Sequence, residues 1–108
     1  MSDDKITVLR QLAEADPSDA ATWFLLGREL MALGLHGEAV EAFRGAIAAQ
    51  PDYAAAFRQL GNALEAAGRT DEAVATYREG IAVAERTHDL QAGKEMNAFL
   101  KRIARGGA

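Results

Sequence analysis

Shifted by 34 residues, the chain meets itself. Trp23, Leu26, Gly27 and Leu30 fall on Phe57, Leu60, Gly61 and Leu64, and Gly34 falls on Gly68. Glu38, Ala39 and Val40 fall on Glu72, Ala73 and Val74; Phe43 and Arg44 on Tyr77 and Arg78; Ile47 on Ile81; Pro17 on Pro51. A period of this length marks stacked supersecondary units, each leaving an apolar face for its neighbour.

Within a unit the apolar residues recur at helical spacing. Trp23, Leu26, Gly27 and Leu30 make one stripe, and Val40, Phe43, Ala46 and Ile47 a second. The interval Gly34 through Gly37 predicts the turn between them. Pro51 has no amide hydrogen and clashes with the preceding turn, so it ends the second helix. Ser18 or Asp19, and Asp52, are the expected N-caps of the helices that follow. Thr70 is expected to cap the next, with Asp71 and Glu72 in its first turn. Plentiful alanine and leucine favour helix over strand. Gly27 with Ala39, and Gly61 with Ala73, fall where antiparallel helices cross, and small side chains there permit close approach.

The first unit reads Trp23-x2-Leu26-Gly27-x2-Leu30, then Ala39-x3-Phe43, then Pro51; the second reads Phe57-x2-Leu60-Gly61-x2-Leu64, then Ala73-x3-Tyr77. This resembles the tetratricopeptide-repeat family, whose pattern is W-x2-L-G-x2-Y, A-x3-F, P. Leu30 stands where the pattern has tyrosine, Glu85 where the second unit would have proline, and Gly80 where the first unit has Ala46. The resemblance covers residues 18–85 strongly. It implies an all-α fold, a right-handed solenoid of antiparallel helix pairs.

The flanks extend the array. Ile6, Leu9, Arg10 and Pro17 match Val40, Phe43, Arg44 and Pro51, so residues 3–17 read as the second half of a repeat, with Ser2 as cap and Asp3 and Asp4 in the first turn. The last segment matches at an offset of 39, where Met96, Phe99, Leu100 and Ile103 take the places of Trp23, Leu26, Gly27 and Leu30 counted one repeat on. The five extra residues predict a longer preceding helix or a longer turn near Thr87, His88 and Asp89. Leu100 in the glycine position fits a helix that no partner follows. The expectation is one domain of about six helices: a half repeat (3–17), two repeats (18–51 and 52–87), a capping helix (89–105), and a frayed tail of Gly106, Gly107 and Ala108.

Catalysis finds little support in these residues. There is no cysteine, which excludes disulfides, thiolate zinc sites and cysteine nucleophiles. Ser2 and Ser18 sit at helix starts, and His36 and His88 fall in expected turns without a hydroxyl or carboxylate that periodicity places beside them. No spacing supports a metal cluster and no Walker-type loop occurs, so no enzyme, metal or cofactor is expected. The polar, acidic start lacks the layout of a signal peptide, and no apolar run approaches bilayer length. The expectation is a cytoplasmic chain without a membrane partner. A net charge of -4 speaks against nucleic acid.

In the family this chain resembles, the first helix of each repeat lines a concave groove that takes peptides. Rotation by about 100° per residue from the packing stripes assigns Ala21, Phe24, Arg28 and Met31 to that face, then Ala55, Arg58, Asn62 and Glu65, then Lys94, Asn97, Lys101 and Ala104. Four cations against one carboxylate leave +3 in the groove and -7 elsewhere, given the total of -4. A basic concave strip suits an acidic or C-terminal peptide, with Phe24 and Met31 as an apolar shelf. Some family members hold a C-terminal carboxylate with a Lys/Asn/Arg clamp; Arg58 and Asn62 resemble one arm of it and Lys94 part of another. Arg44 and Arg78 lie off the groove and read as structural, and Lys101, Arg102 and Arg105 also suit a helix C-terminus. The expected partner is another protein or peptide. The alternative is a homodimer, its apolar last helix meeting a copy across a two-fold axis.

Overall fold

The computed structural model describes residues 2–106. Met1, Gly107, Ala108 and the side chains of Ser2 and Asp3 lie outside the described residues, and with them the expected Ser2 cap, the Asp3 charge and the last two tail residues. Six helices occur among the described residues, and no strand: α1 (Ser2–Ala15), α2 (Ala20–Ala32), α3 (His36–Ala49), α4 (Ala54–Ala66), α5 (Thr70–Thr87) and α6 (Leu90–Ala104). Each packs on its sequence neighbours, and α4 also touches α6. The result is a right-handed α-solenoid of antiparallel pairs.

Three-residue connectors join α2 to α3 and α4 to α5. Each has a central glycine in left-handed backbone, Gly34 at φ 76° and Gly68 at φ 78°. That conformation lets the amides of Leu35 and Arg69 return to the carbonyls of Leu30 and Leu64 at 2.9 and 2.8 Å, satisfying groups the helix end would leave open. The first turn is therefore residues 33–35, and Gly37 lies inside α3.

Asp19 is the N-cap of α2, accepting from the amide and hydroxyl of Thr22, while Ser18 donates to Asp16. Asp52 and Thr70 do not cap. Tyr53 and Arg69 occupy those positions without a side-chain cap bond. Thr70 begins α5 itself, and Glu72 is held by Arg69 at 2.8 Å.

The small residues at the crossings have the expected mechanical role. A Cβ on Gly27 would stand 2.5 Å from the Phe43 ring, and one on Gly61 would overlap the Tyr77 ring. Both rings are fully buried. A third close approach, absent from the sequence reading, sets Gly45 under Trp23, whose indole N–H donates to the Pro17 carbonyl at 3.0 Å. Leu26, Leu30, Val40, Leu64 and Met96 complete the continuous core.

The last helix has a different register from the expected 39. Its N-cap Asp89 answers Tyr53, an offset of 36, and buried Ala92 and Met96 answer buried Ala56 and Leu60. The reason is a partial compensation. Helix α5 has 18 residues where α3 has 14. The connector that follows shrinks from four residues to two, His88 and Asp89. His88 makes the sharp reversal in left-handed backbone, φ 59°, and Asp89 caps α6 by accepting from the amide of Ala92 at 3.1 Å. Asn97, not Leu100, thereby takes the place of Gly61.

Candidate functional site

The helices that begin each pair, α2 and α4, and the terminal α6 carry the residues assigned to the groove. On α2, Phe24 stacks on Tyr53 with centroids 5.1 Å apart and meets Phe43 edge-on at 5.7 Å. Tyr53 is the residue before α4, so this aromatic pair ties the α2 face to the start of α4. Met31 is half-buried against the core, and Arg28 is exposed. Burial raises the Tyr53 phenol above its ordinary value, and the nearby Arg28 charge works against that rise.

On α4 the polar groups are already engaged. Arg58 donates to Glu95 at 2.6 Å with only 24% of its side chain exposed. Glu65 accepts from Arg102 at 2.9 Å and from the Tyr77 hydroxyl. That hydroxyl also lies 2.7 Å from the Asn62 side-chain oxygen. Burial works to raise the Glu65 carboxyl, but the bonds from Arg102 and Tyr77 outweigh it and hold the group below the usual carboxylate range. Gln91 and Arg58 hold Glu95 low in the same way. Burial, then the Glu65 carboxylate, pushes the Tyr77 phenol far up, so it stays a donor at every physiological pH.

The face of α6 that meets α4 therefore carries Glu95, Phe99 and Arg102; Phe99 lies 5.3 Å from the Tyr77 ring and under Arg102. None of these three was among the assigned groove residues. Lys94, Asn97 and Lys101 lie on a different stripe of α6, at i, i+3 and i+7. All three are exposed; Asn97 donates to the Gly93 carbonyl at 3.2 Å. Asn97 and Lys101 border a hollow shared with Val74 and Arg78 of α5. The structure thus brings Arg58, Asn62 and Glu65 together with Glu95 and Arg102, and brings Phe24 to Tyr53. Among the described residues, Lys94, Asn97 and Lys101 make no hydrogen bond with Arg58, whose partner is Glu95. Its charge is neutralised by Glu95, so the +3 count overstates the basic character of the face.

These paired carboxylates carry a pH signature. Their folded values are depressed, so their stabilisation is full above the ordinary carboxylate value and is lost as pH falls through the folded one. Glu65→Gln is expected to lower stability by about 1 kcal/mol at pH 7 and to flatten its decline below pH about 4.5, read by urea unfolding at each pH. An unchanged slope below that pH would place the acid sensitivity elsewhere.

His36 opens α3 with its Nδ1 buried and unpaired among the described residues, and His88 is exposed at the end of α5. No cluster of three or more His, Cys, Asp or Glu that could hold a metal occurs among the described residues, and no described helix is long and apolar enough to cross a membrane.

The family model described as tetratricopeptide repeat matches the chain at residues 6–53 and 24–86. No curated protein matches it. Among solved structures, protein BPP2914 from Bordetella parapertussis is 27% identical with a TM-score of 0.79, matched over 94% of this chain and 88% of its own. MamA AMB-1 is 28% identical with a TM-score of 0.72, matched over 78% of this chain and 46% of its own. MamA MSR-1 is 28% identical with a TM-score of 0.74, matched over 80% and 49%. The chain spans about half the length of the MamA structures it matches.

Proposed function

Since the chain belongs to the tetratricopeptide-repeat family, a fold that serves as a protein-interaction scaffold, we propose that it binds a peptide segment of another protein along the face formed by α2 and α4. The observation that supports this most is the Phe24–Tyr53 stack with the exposed Arg28 one helical turn beyond Phe24. An aromatic shelf beside an unburied guanidinium suits a side chain laid flat next to a carboxylate. The preferred ligand is thus an acidic segment or a C-terminal carboxylate, with Arg28 as its anchor. Arg58 contributes mainly by holding α6 to α4.

Peptides selected from a random display library on the wild-type chain are expected to be enriched in acidic residues or free C-termini. Arg28→Glu is expected to weaken the best of them roughly tenfold, and Phe24→Ala to weaken them as well, in fluorescence anisotropy with helicity checked. Selected peptides that bind both variants as well as wild type would sink the reading.

A further inference from the structure

One ion pair recurs along the array. Arg10 of α1 reaches Glu38 of α3 at 3.0 Å, and Arg44 of α3 reaches Glu72 of α5 at 3.2 Å. The two pairs are related by the 34-residue period at both partners. The next arginine of the series is Arg78 on α5, exposed and without an ion pair among the described residues. It borders the hollow of about 350 Å³ between α5 and α6, with Val74, Leu100 and Ile103. One repeat earlier the corresponding Val40 and Leu64 are fully buried beside α5. In the hollow Val74 and Leu100 remain partly exposed.

At the opposite end, α1 shows a complementary stripe. Val8 and Leu12 are each 53% exposed, whereas their equivalents Ala42 and Ala46 in α3 are buried. The acidic series that runs through Glu72 and Glu38 reaches Asp4, four residues before Val8. Asp4, Val8 and Leu12 therefore share one face of α1, at i, i+4 and i+8. That face offers one acid and two apolar side chains; the hollow offers two cations, Arg78 and Lys101, beside Val74, Leu100, Ile103 and Ala104.

We propose that α1 of a second copy of this chain docks in the hollow between α5 and α6, so that the second copy's α1 and the first copy's α6 together form a repeat. Asp4 of the second copy then takes Arg78 as Glu72 takes Arg44. The contact is head-to-tail, not two-fold, so it extends into open filaments. It lies at the ends of the array and does not depend on the peptide face.

The test is sedimentation velocity of the 108-residue chain over a wide concentration range. Mass is expected to rise continuously with concentration and to fall with added salt, as a small charged interface requires. Arg78→Glu alone, and Asp4→Arg alone, are each expected to weaken association about tenfold or more. An equimolar mixture of the two variants should assemble again, because every junction then joins opposite charges. Leu12→Ser, at an exposed position, should weaken association without altering helicity. A chain that stays monomeric at all concentrations overturns the proposal. So does a dimer of fixed size that is indifferent to these variants, which would indicate a two-fold contact, and so does a mixture that associates no better than either variant.

Discussion

Tyr77→Ala is expected to lower the stability of the fold by about 4 kcal/mol, within the range for deleting a buried aromatic side chain. For a domain of this size that corresponds to roughly 16–32 °C in Tm. Two losses combine. The ring is fully buried over Gly61 and against Phe99, so its removal opens a cavity at the junction of α4, α5 and α6. The hydroxyl also serves Asn62 and Glu65, and Glu65 holds Arg102 of α6. Tyr77→Phe separates the two and is expected to lose about 1–2 kcal/mol. Thermal and urea unfolding by circular dichroism measures both. If alanine were tolerated within about 1 kcal/mol, the ring would not be the bond between the second pair and the last helix.

Gly27→Val is expected to destabilise by about 3 kcal/mol, against the small gain in helix propensity that replacing a glycine usually brings. The Phe43 ring would lie 2.5 Å from the new Cβ, and it is enclosed on all sides. The cost is steric, so shrinking the partner should recover part of it: Gly27→Val with Phe43→Leu should be less unstable than the sum of the two single changes. A double-mutant cycle reads that coupling, expected at about 1–2 kcal/mol. Strict additivity would mean that α2 and α3 can move apart freely at this crossing.

These two positions were legible in the sequence because close approach leaves a visible trace, a glycine and an aromatic repeated together at one period. The six helices, and a turn at Gly34 repeated at Gly68, were legible through the same period, whereas the left-handed backbone of those glycines was not read from it. The register of α6 was not. Four residues added to α5 and two removed from the connector leave a net shift of two, and an apolar stripe matches itself at several offsets. Charges across helices are harder still. Glu95 and Arg102 obey no internal period, and their pairing with Arg58 and Glu65 exists only once α6 is seated on α4. The Asp52 and Thr70 caps failed because the backbone turn falls one residue away from each, where Tyr53 and Arg69 stand. The Phe24–Tyr53 stack was missed because Tyr53 lies outside both packing stripes.

Nearly every helix contact in this array joins neighbours along the chain; reaches to a second neighbour include the α4–α6 contact and the Arg10–Glu38 and Arg44–Glu72 ion pairs. Little loop entropy must then be surrendered before a contact forms, so the transition state can be reached from any adjacent pair of helices. Such a chain orders rapidly and has no single obligatory nucleus. Its cooperativity is correspondingly graded: α1, held to α2 alone among the principal helix contacts, is the segment that can loosen while the four central helices stay folded.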